Sequence, residues 1–225
     1  MKEIQIFCFC LVLIFSSQIK AQEHQDNVWK AFFSDYSLTT SKTIRLEKHI
    51  RTKRFFSEND QYLLRPSLIL KLNKNSSFAA GITFLSTNLS DDRLTEYNIW
   101  QQFGFSLPIK KTNYFGWIRL EQRWMKRGKM SNNYGSRIRF RTGFKFPLKF
   151  DAIKFSTRFV VFNEVFLLVE KSFPYRYNQN WTFFGFEQKI SSKINLLTGF
   201  QRNSIIREND FLHKNIWSTV LFYKI

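Results

Sequence analysis

The stretch YFGWIRLEQRW at residues 114–124, followed after a polar loop by SRIRFRTGFKF at residues 136–146, decides the fold class of this chain. With a period of two, Gly116, Ile118 and Leu120 fall on one face and Arg119, Glu121 and Arg123 on the other. That is the alternation of a strand with one apolar and one polar side. The second arm repeats it, with Ile138, Phe140, Phe144 and Phe146 on one face and Arg137, Arg139, Arg141 and Lys145 on the opposite one. A soluble sheet buries its apolar face on a second layer, but almost every later segment shows the same two-faced pattern, and no layer is left over to cover them. A closed membrane barrel resolves this, since its apolar face meets lipid and its charged face meets a polar interior.

Further segments of the same kind lie at 28–38, 43–50, 62–72, 77–86, 95–107, 155–168, 180–190, 193–202 and 215–223. Most have the ~9–11 residues that a tilted spanning strand needs. Connections alternate between short turns (73–76, 108–113, 147–154, 191–192) and longer polar loops (51–61, 87–94, 125–135, 169–179, 203–214). Outer-membrane barrels place short turns in the periplasm and long loops outside. The expectation is therefore an all-β, single antiparallel up-and-down transmembrane barrel of about ten strands from Thr43 onward, with segment 28–38 either a periplasmic lead-in or half of an extra hairpin making twelve. Pro66 stands mid-strand, where it removes a ladder hydrogen bond, so a bulge or displaced register is expected beside it. In 155–168, turning Arg158 and Glu164 inward also brings in Phe162 and Phe166 and sends Asn163 out, an unusual pattern for a polar lumen. The chain finishes with Trp217, Thr219, Leu221, Tyr223 and Ile225 on one face, a plausible closing strand that ends in Ile instead of the aromatic residue usual in assembly signals.

At the other end, Lys2 precedes an apolar run at residues 4–15 and a short polar region ending at Ala21-Gln22. This reads as a secretory signal peptide of residues 1–21, cleaved to leave an outer-membrane barrel domain of residues 22–225. The run is shorter than the ~20 residues of a spanning helix. The only cysteines, Cys8 and Cys10, lie inside it, so the mature chain has no thiol for a disulfide or a thiolate metal site. With 18% aromatic residues and 27 Phe, the chain is far from a disordered composition.

The formal charge of +18 would suit nucleic acid, whose phosphates release counterions to a basic surface. Export and the interleaving of arginines with apolar residues argue against that partner. The expected partners are outer-membrane lipid and lipopolysaccharide, whose phosphates loop residues Arg51, Lys53, Arg54, Lys126, Arg127 and Lys129 could bridge, and the barrel-assembly machinery during insertion. Oligomeric state is not readable.

The phrases WQQFGFSL (100–107), RLEQRW (119–124), SRIRFR (136–141), FNEVFL (162–167) and NQNWTFFGFEQKI (178–190), in this order, resemble the uncharacterised outer-membrane barrel family catalogued as domain of unknown function 2490. The resemblance covers nearly the whole mature chain. It implies a signal peptide, an antiparallel barrel and a location in the outer membrane of a Gram-negative bacterium, and it implies no activity. Gln179-Asn180-Trp181 departs from the family pattern, in which an acidic residue and an arginine flank Gln-Asn.

Chemical constellations are thin. His24, His49 and His213 are the only histidines, far apart and without metal-ligand spacing, and no nucleophile motif such as GxSxG occurs. No cofactor or metal is expected. His213 with Asp210, Ser204 and Ser218 nearby can be read as parts of a lipid-acting hydrolase or acyltransferase, an assignment less favoured than a non-enzymatic role. The inner face is richer: Arg45, Glu47, Glu96, Asn98, Gln102, Arg119, Glu121, Arg123, Arg137, Arg139, Arg141, Glu164, Glu187 and Lys189. In a narrow bore such side chains meet from opposite walls. The preferred reading is a small structural or interaction barrel whose lumen is filled by a salt-bridged plug, with Arg119, Glu121, Arg123, Arg137, Arg139, Arg141, Glu164 and Glu187 as its network. The alternatives are a narrow anion-preferring pore or solute-binding barrel built on the same residues, and a lipopolysaccharide- or lipid-modifying enzyme.

Overall fold

A computed structural model describes residues 24–53, 58–89, 92–129, 133–148, 156–170, 176–207 and 210–225; the expected signal peptide and Arg54 lie outside the described residues. Among the described residues all regular structure is β: β1 His24–Ser37, β2 Lys42–Lys53, β3 Glu58–Lys71, β4 Ser76–Asn88, β5 Arg93–Ile109, β6 Thr112–Arg127, β7 Asn133–Leu148, β8 Thr157–Leu168, β9 Tyr177–Lys189, β10 Ile194–Ile206 and β11 Phe211–Lys224. Each strand pairs with its sequence neighbour and the sheet closes on itself.

The closure differs from expectation. Segment 28–38 is neither a lead-in nor half of an additional hairpin, because all of it but Leu38 belongs to β1, which pairs antiparallel with β2 and parallel with β11, from His24↔His213 to Asp35↔Lys224. The strand count is eleven. An odd number of alternating strands must bring the first and last together in the same direction, and parallel ladders are only slightly less stable per residue than antiparallel ones.

Connections β1–β2, β3–β4, β5–β6, β7–β8 and β9–β10 form what we call the lower end; the other five, with the start of β1, form the upper end. Three lower turns share one device, a side-chain oxygen at the first turn position accepting from the main chain two and three residues on. Thr39 Oγ1 accepts from the N–H of Ser41 and Lys42, Asn73 Oδ1 from Asn75 and Ser76, and Ser191 Oγ from Lys193 and Ile194. At the upper end the expected long loops are in part strand. β2 runs to Lys53 and β3 resumes at Glu58, so the polar stretch 51–61 is mostly a hairpin stem. The main-chain ladder needs no apolar side chains, and it continues past the point where the hydropathy pattern fades.

Pro66 leaves the register unshifted. It stays paired with Leu46 on β2, while on the β4 side pairing lapses between Leu64↔Phe84 and Ser67↔Gly81 and resumes in the same register. The β2–β3 irregularity lies instead beside Arg51 and Thr52, where Asp60 is the extra residue. Gly81 absorbs the local crowding, because a Cβ there would stand 2.5 Å from the Pro66 carbonyl oxygen and 2.7 Å from the Trp100 ring.

The outer face is apolar over its middle, with Ile99, Phe103, Ile118, Phe184 and Trp217 among many exposed large side chains. Aromatic rows bound this band. Toward the upper end Phe84, Tyr97, Trp124 and Tyr134 are successive cross-strand partners on β4 to β7. Toward the lower end Tyr114 faces Phe144, and Phe146, Phe159 and Phe186 form the next run.

Candidate functional site: the lumen and its upper cup

The alternation that turns apolar residues outward turns three arginines of β7 inward, between two strands that each supply a carboxylate. Register sets Arg137 opposite Glu121 and Arg141 opposite Glu164, and both glutamates have no exposed surface at all. Glu121 accepts from Arg137 Nε at 2.8 Å and from Arg139 Nη1 at 2.8 Å. Glu164 accepts from Arg139 Nε at 2.6 Å and Arg141 Nε at 2.7 Å. Arg139 therefore bridges the two carboxylates, and its forked geometry suits that role because it offers donors in more than one direction. Arg119 joins at longer range, 3.9 Å from Glu121, with two hydrogen bonds to Gln102 Oε1.

Four guanidinium groups around two carboxylates leave excess positive charge, and aromatic faces take it up. Arg119 lies over Trp100 at 4.1 Å, Arg139 over Phe166 at 4.4 Å and Arg141 over Phe162 at 4.0 Å. The inward Phe162 and Phe166, anomalous in a purely polar lumen, are thus the ring faces of the plug. Asn163 does point outward, where it exchanges hydrogen bonds with Asn180. Toward the lower end the lumen becomes apolar, with Val160, Phe162 and Phe183 packed together against Phe115 and Leu197. Gly185 and Gly199 face each other there and make room for Phe183, whose ring would lie 2.8 Å from a Cβ on Gly185.

Not every expected member joins this plug. Arg123 makes its own forked pair with Glu96 at 2.7 and 2.8 Å, backed by Asn98. Glu187 is separate, held by Lys145 at 2.8 Å and Arg158 at 3.1 Å. Lys189 is exposed at the lower rim. Arg45 pairs with Asp35 at 2.6 Å, and Glu47 is held by Arg65 at 2.9 Å. Arg65 and Asp35 were absent from the sequence expectation, although the period of two would have found both.

Above the plug is a cup of about 200 Å³ opening toward the upper end, floored by Arg137, Arg139 and Phe166 and walled by Trp29, Arg51, Asp60, Trp181, Asn203 and Lys214. Arg51 is not a loop residue, as its place in a polar stretch had implied. It lies on β2 opposite Trp29, its guanidinium 3.9 Å over the Trp29 ring. Trp29 in turn meets Trp181 edge to face. Lys53, Lys126 and Arg127 are likewise strand residues; Lys126, Arg127 and Lys129 are exposed at the upper rim.

The hydrolase constellation is only partly assembled. Ser204 Oγ and His213 Nδ1 are 3.0 Å apart as cross-strand neighbours, but Ser218 is on the opposite face by alternation, and Asp210 accepts from the Phe211 N–H at 2.6 Å. Among the described residues no three His, Cys, Asp or Glu side chains converge as a metal site would.

Neither the curated proteins nor the solved structures compared include a match to this chain. The family model described as protein of unknown function DUF2490 does match, over residues 26–211, so the chain belongs to that family.

Proposed function

We propose that this chain is an outer-membrane β-barrel, exported through a signal peptide at residues 1–21, with a lumen closed to solutes by its arginine–glutamate–aromatic plug. The observation that carries the reading is the apolar band between the two aromatic rows. On β6 the rows are marked by Tyr114 and Trp124, 10 residues apart. At ~3.3 Å per residue and a tilt of ~40° this gives roughly 25 Å of height, the thickness expected of an outer-membrane apolar belt with aromatic girdles. Beyond the upper row the strands continue as polar hairpin stems, and exposed Lys126, Arg127 and Lys129 are placed to meet lipopolysaccharide phosphates. A non-conducting barrel with such a rim acts as a structural or interaction element of the membrane.

Two measurements test this. Fractionation should recover the mature chain in the outer membrane with heat-modifiable migration on gels, and recovery as a soluble periplasmic protein would overturn the location. In planar bilayers the purified protein should be electrically silent, since the inward side chains of Arg119, Glu121, Arg139 and Glu164 are buried from solvent within the bore; steady large conductance would overturn the plug.

A further inference from the structure

We infer that the upper cup is a binding site for a small free oxyanion of the phosphate class, held by Arg51. This rests on the closed lumen described above, because a site resting on a plugged floor can hold a solute without passing it.

Three observations converge on the same place. Arg51 is the inward cation that reaches no carboxylate within ion-pair distance among the described residues, whereas Arg137, Arg139, Arg123 and Arg65 each do. Its Nη1 donates to Gln61 Oε1 at 2.6 Å, and Gln61 is fixed in that orientation by donating to Thr87 Oγ1 at 2.9 Å. The buried Nε of Arg51 has no acceptor in the protein.

The second observation is that the donors around it are unsatisfied too. Trp29 is the register partner of Arg51, and Asn27, two residues earlier on the same face of β1, is opposite Lys53. Both side chains are buried, and neither the Trp29 Nε1–H nor the Asn27 amide has a protein partner. Buried polar groups are nearly always paired, so the partnerless Trp29 N–H and Asn27 amide, both its nitrogen and its oxygen, beside a guanidinium whose Nε lacks an acceptor mark a place built for a polar ligand that can accept.

The third is local charge. Lys53 and Lys214 both reach the carboxylate of Asp60, at 3.7 and 3.9 Å, so among the described side chains three cations, with Arg51, surround this one buried carboxylate, while Glu58, opposite Lys53, is exposed at the rim. The other acidic wall residue, Glu96, is committed to Arg123 by two hydrogen bonds. Cationic donors in a recessed, poorly solvated space select a charged oxygen ligand over a neutral one. The cup volume of about 200 Å³ admits a phosphate with some of its water and excludes a lipid with its acyl chains. A free anion, and not a membrane headgroup, is therefore the occupant.

The test uses the full mature chain in detergent. Unfolding temperature is followed as inorganic phosphate replaces chloride at constant ionic strength, with dihexanoyl phosphatidic acid as a second arm. Phosphate should raise the transition in a saturable way, the lipid should add nothing beyond its effect as an amphiphile, and Arg51→Gln should weaken the phosphate response at least roughly tenfold. Lys214→Gln should weaken it by less and serves as a second probe should Arg51→Gln refold poorly, with heat-modifiable migration as the check on folding. Equal behaviour of phosphate and chloride, a response confined to the lipid, or an undiminished response in both variants would overturn the site. None of these outcomes bears on membrane location or conductance, which the experiments above decide.

Discussion

The two halves of the upper lumen use the same residue in opposite ways. In the plug, Arg137, Arg139 and Arg141 each touch a carboxylate with no exposed surface; above them, among the described residues, Arg51 reaches ring faces and an amide but no carboxylate. The difference lies in stoichiometry of partners, not in residue type. A paired arginine in a narrow bore is part of the wall, and removing either member leaves the other stranded in a space that solvates it poorly. An arginine without a carboxylate strands no charge when removed, only the Gln61 oxygen in the case of Arg51, and while present it has donors left for something from outside.

Mutations that change one partner at a time should separate the two. The largest effect is expected from Arg139→Glu, which sets a third carboxylate beside Glu121 and Glu164; it should prevent recovery of the heat-modifiable form, whereas Lys129→Glu on the exposed rim should stay within about 0.5 kcal/mol of the wild type in urea unfolding. Equal effects would show that the faces have been assigned wrongly. Glu121→Gln, which leaves Arg137 and Arg139 without full countercharge, should cost about 3–5 kcal/mol in the same measurement. Arg51→Met should change stability by less than about 1 kcal/mol, the loss of its stacking on Trp29 being offset by relief from an uncompensated buried cation. A loss there as large as for Glu121→Gln would mean that the cup is structural after all. The smallest change is expected from Arg127→Ala, because its pairing with Asp92 is long, at 3.9 Å, and largely exposed; about 0.5 kcal/mol or less should be measured.

Much of this was legible in the sequence, for a reason visible in particular residues. Period-two alternation assigns faces without knowledge of neighbours, so it brought Arg137, Arg139 and Arg141 to the same side as Glu121 and Glu164, and each of its candidate segments coincides with a strand. What it could not give was anything that depends on closure. An even strand count was an assumption about barrels, and no residue in 28–38 announces that its second partner lies near the C-terminus. Arg51, Lys53, Lys126 and Arg127 were misplaced in loops because the end of a strand was judged by the end of its apolar residues, although the ladder continues through polar stems. Pro66 was expected to bring a bulge or a displaced register, but next to it, opposite Ser67, Gly81 has no side chain to obstruct the strand. Phe162 and Phe166 looked like errors of register until the guanidinium groups over their rings gave them a role.

The parallel seam between β1 and β11 has an experimental use. Because these strands run the same way, the first residue of β1 and the last of β11 emerge at opposite mouths of the barrel. In a membrane, a peptide epitope fused before β1 and one fused after β11 would face different compartments. Protease added to intact cells should remove one and spare the other, so a single shaving experiment with two tags reads out the orientation of the whole molecule. A circular permutant joining the two ends by a short linker should fail to form, since the linker would have to run the full height of the wall.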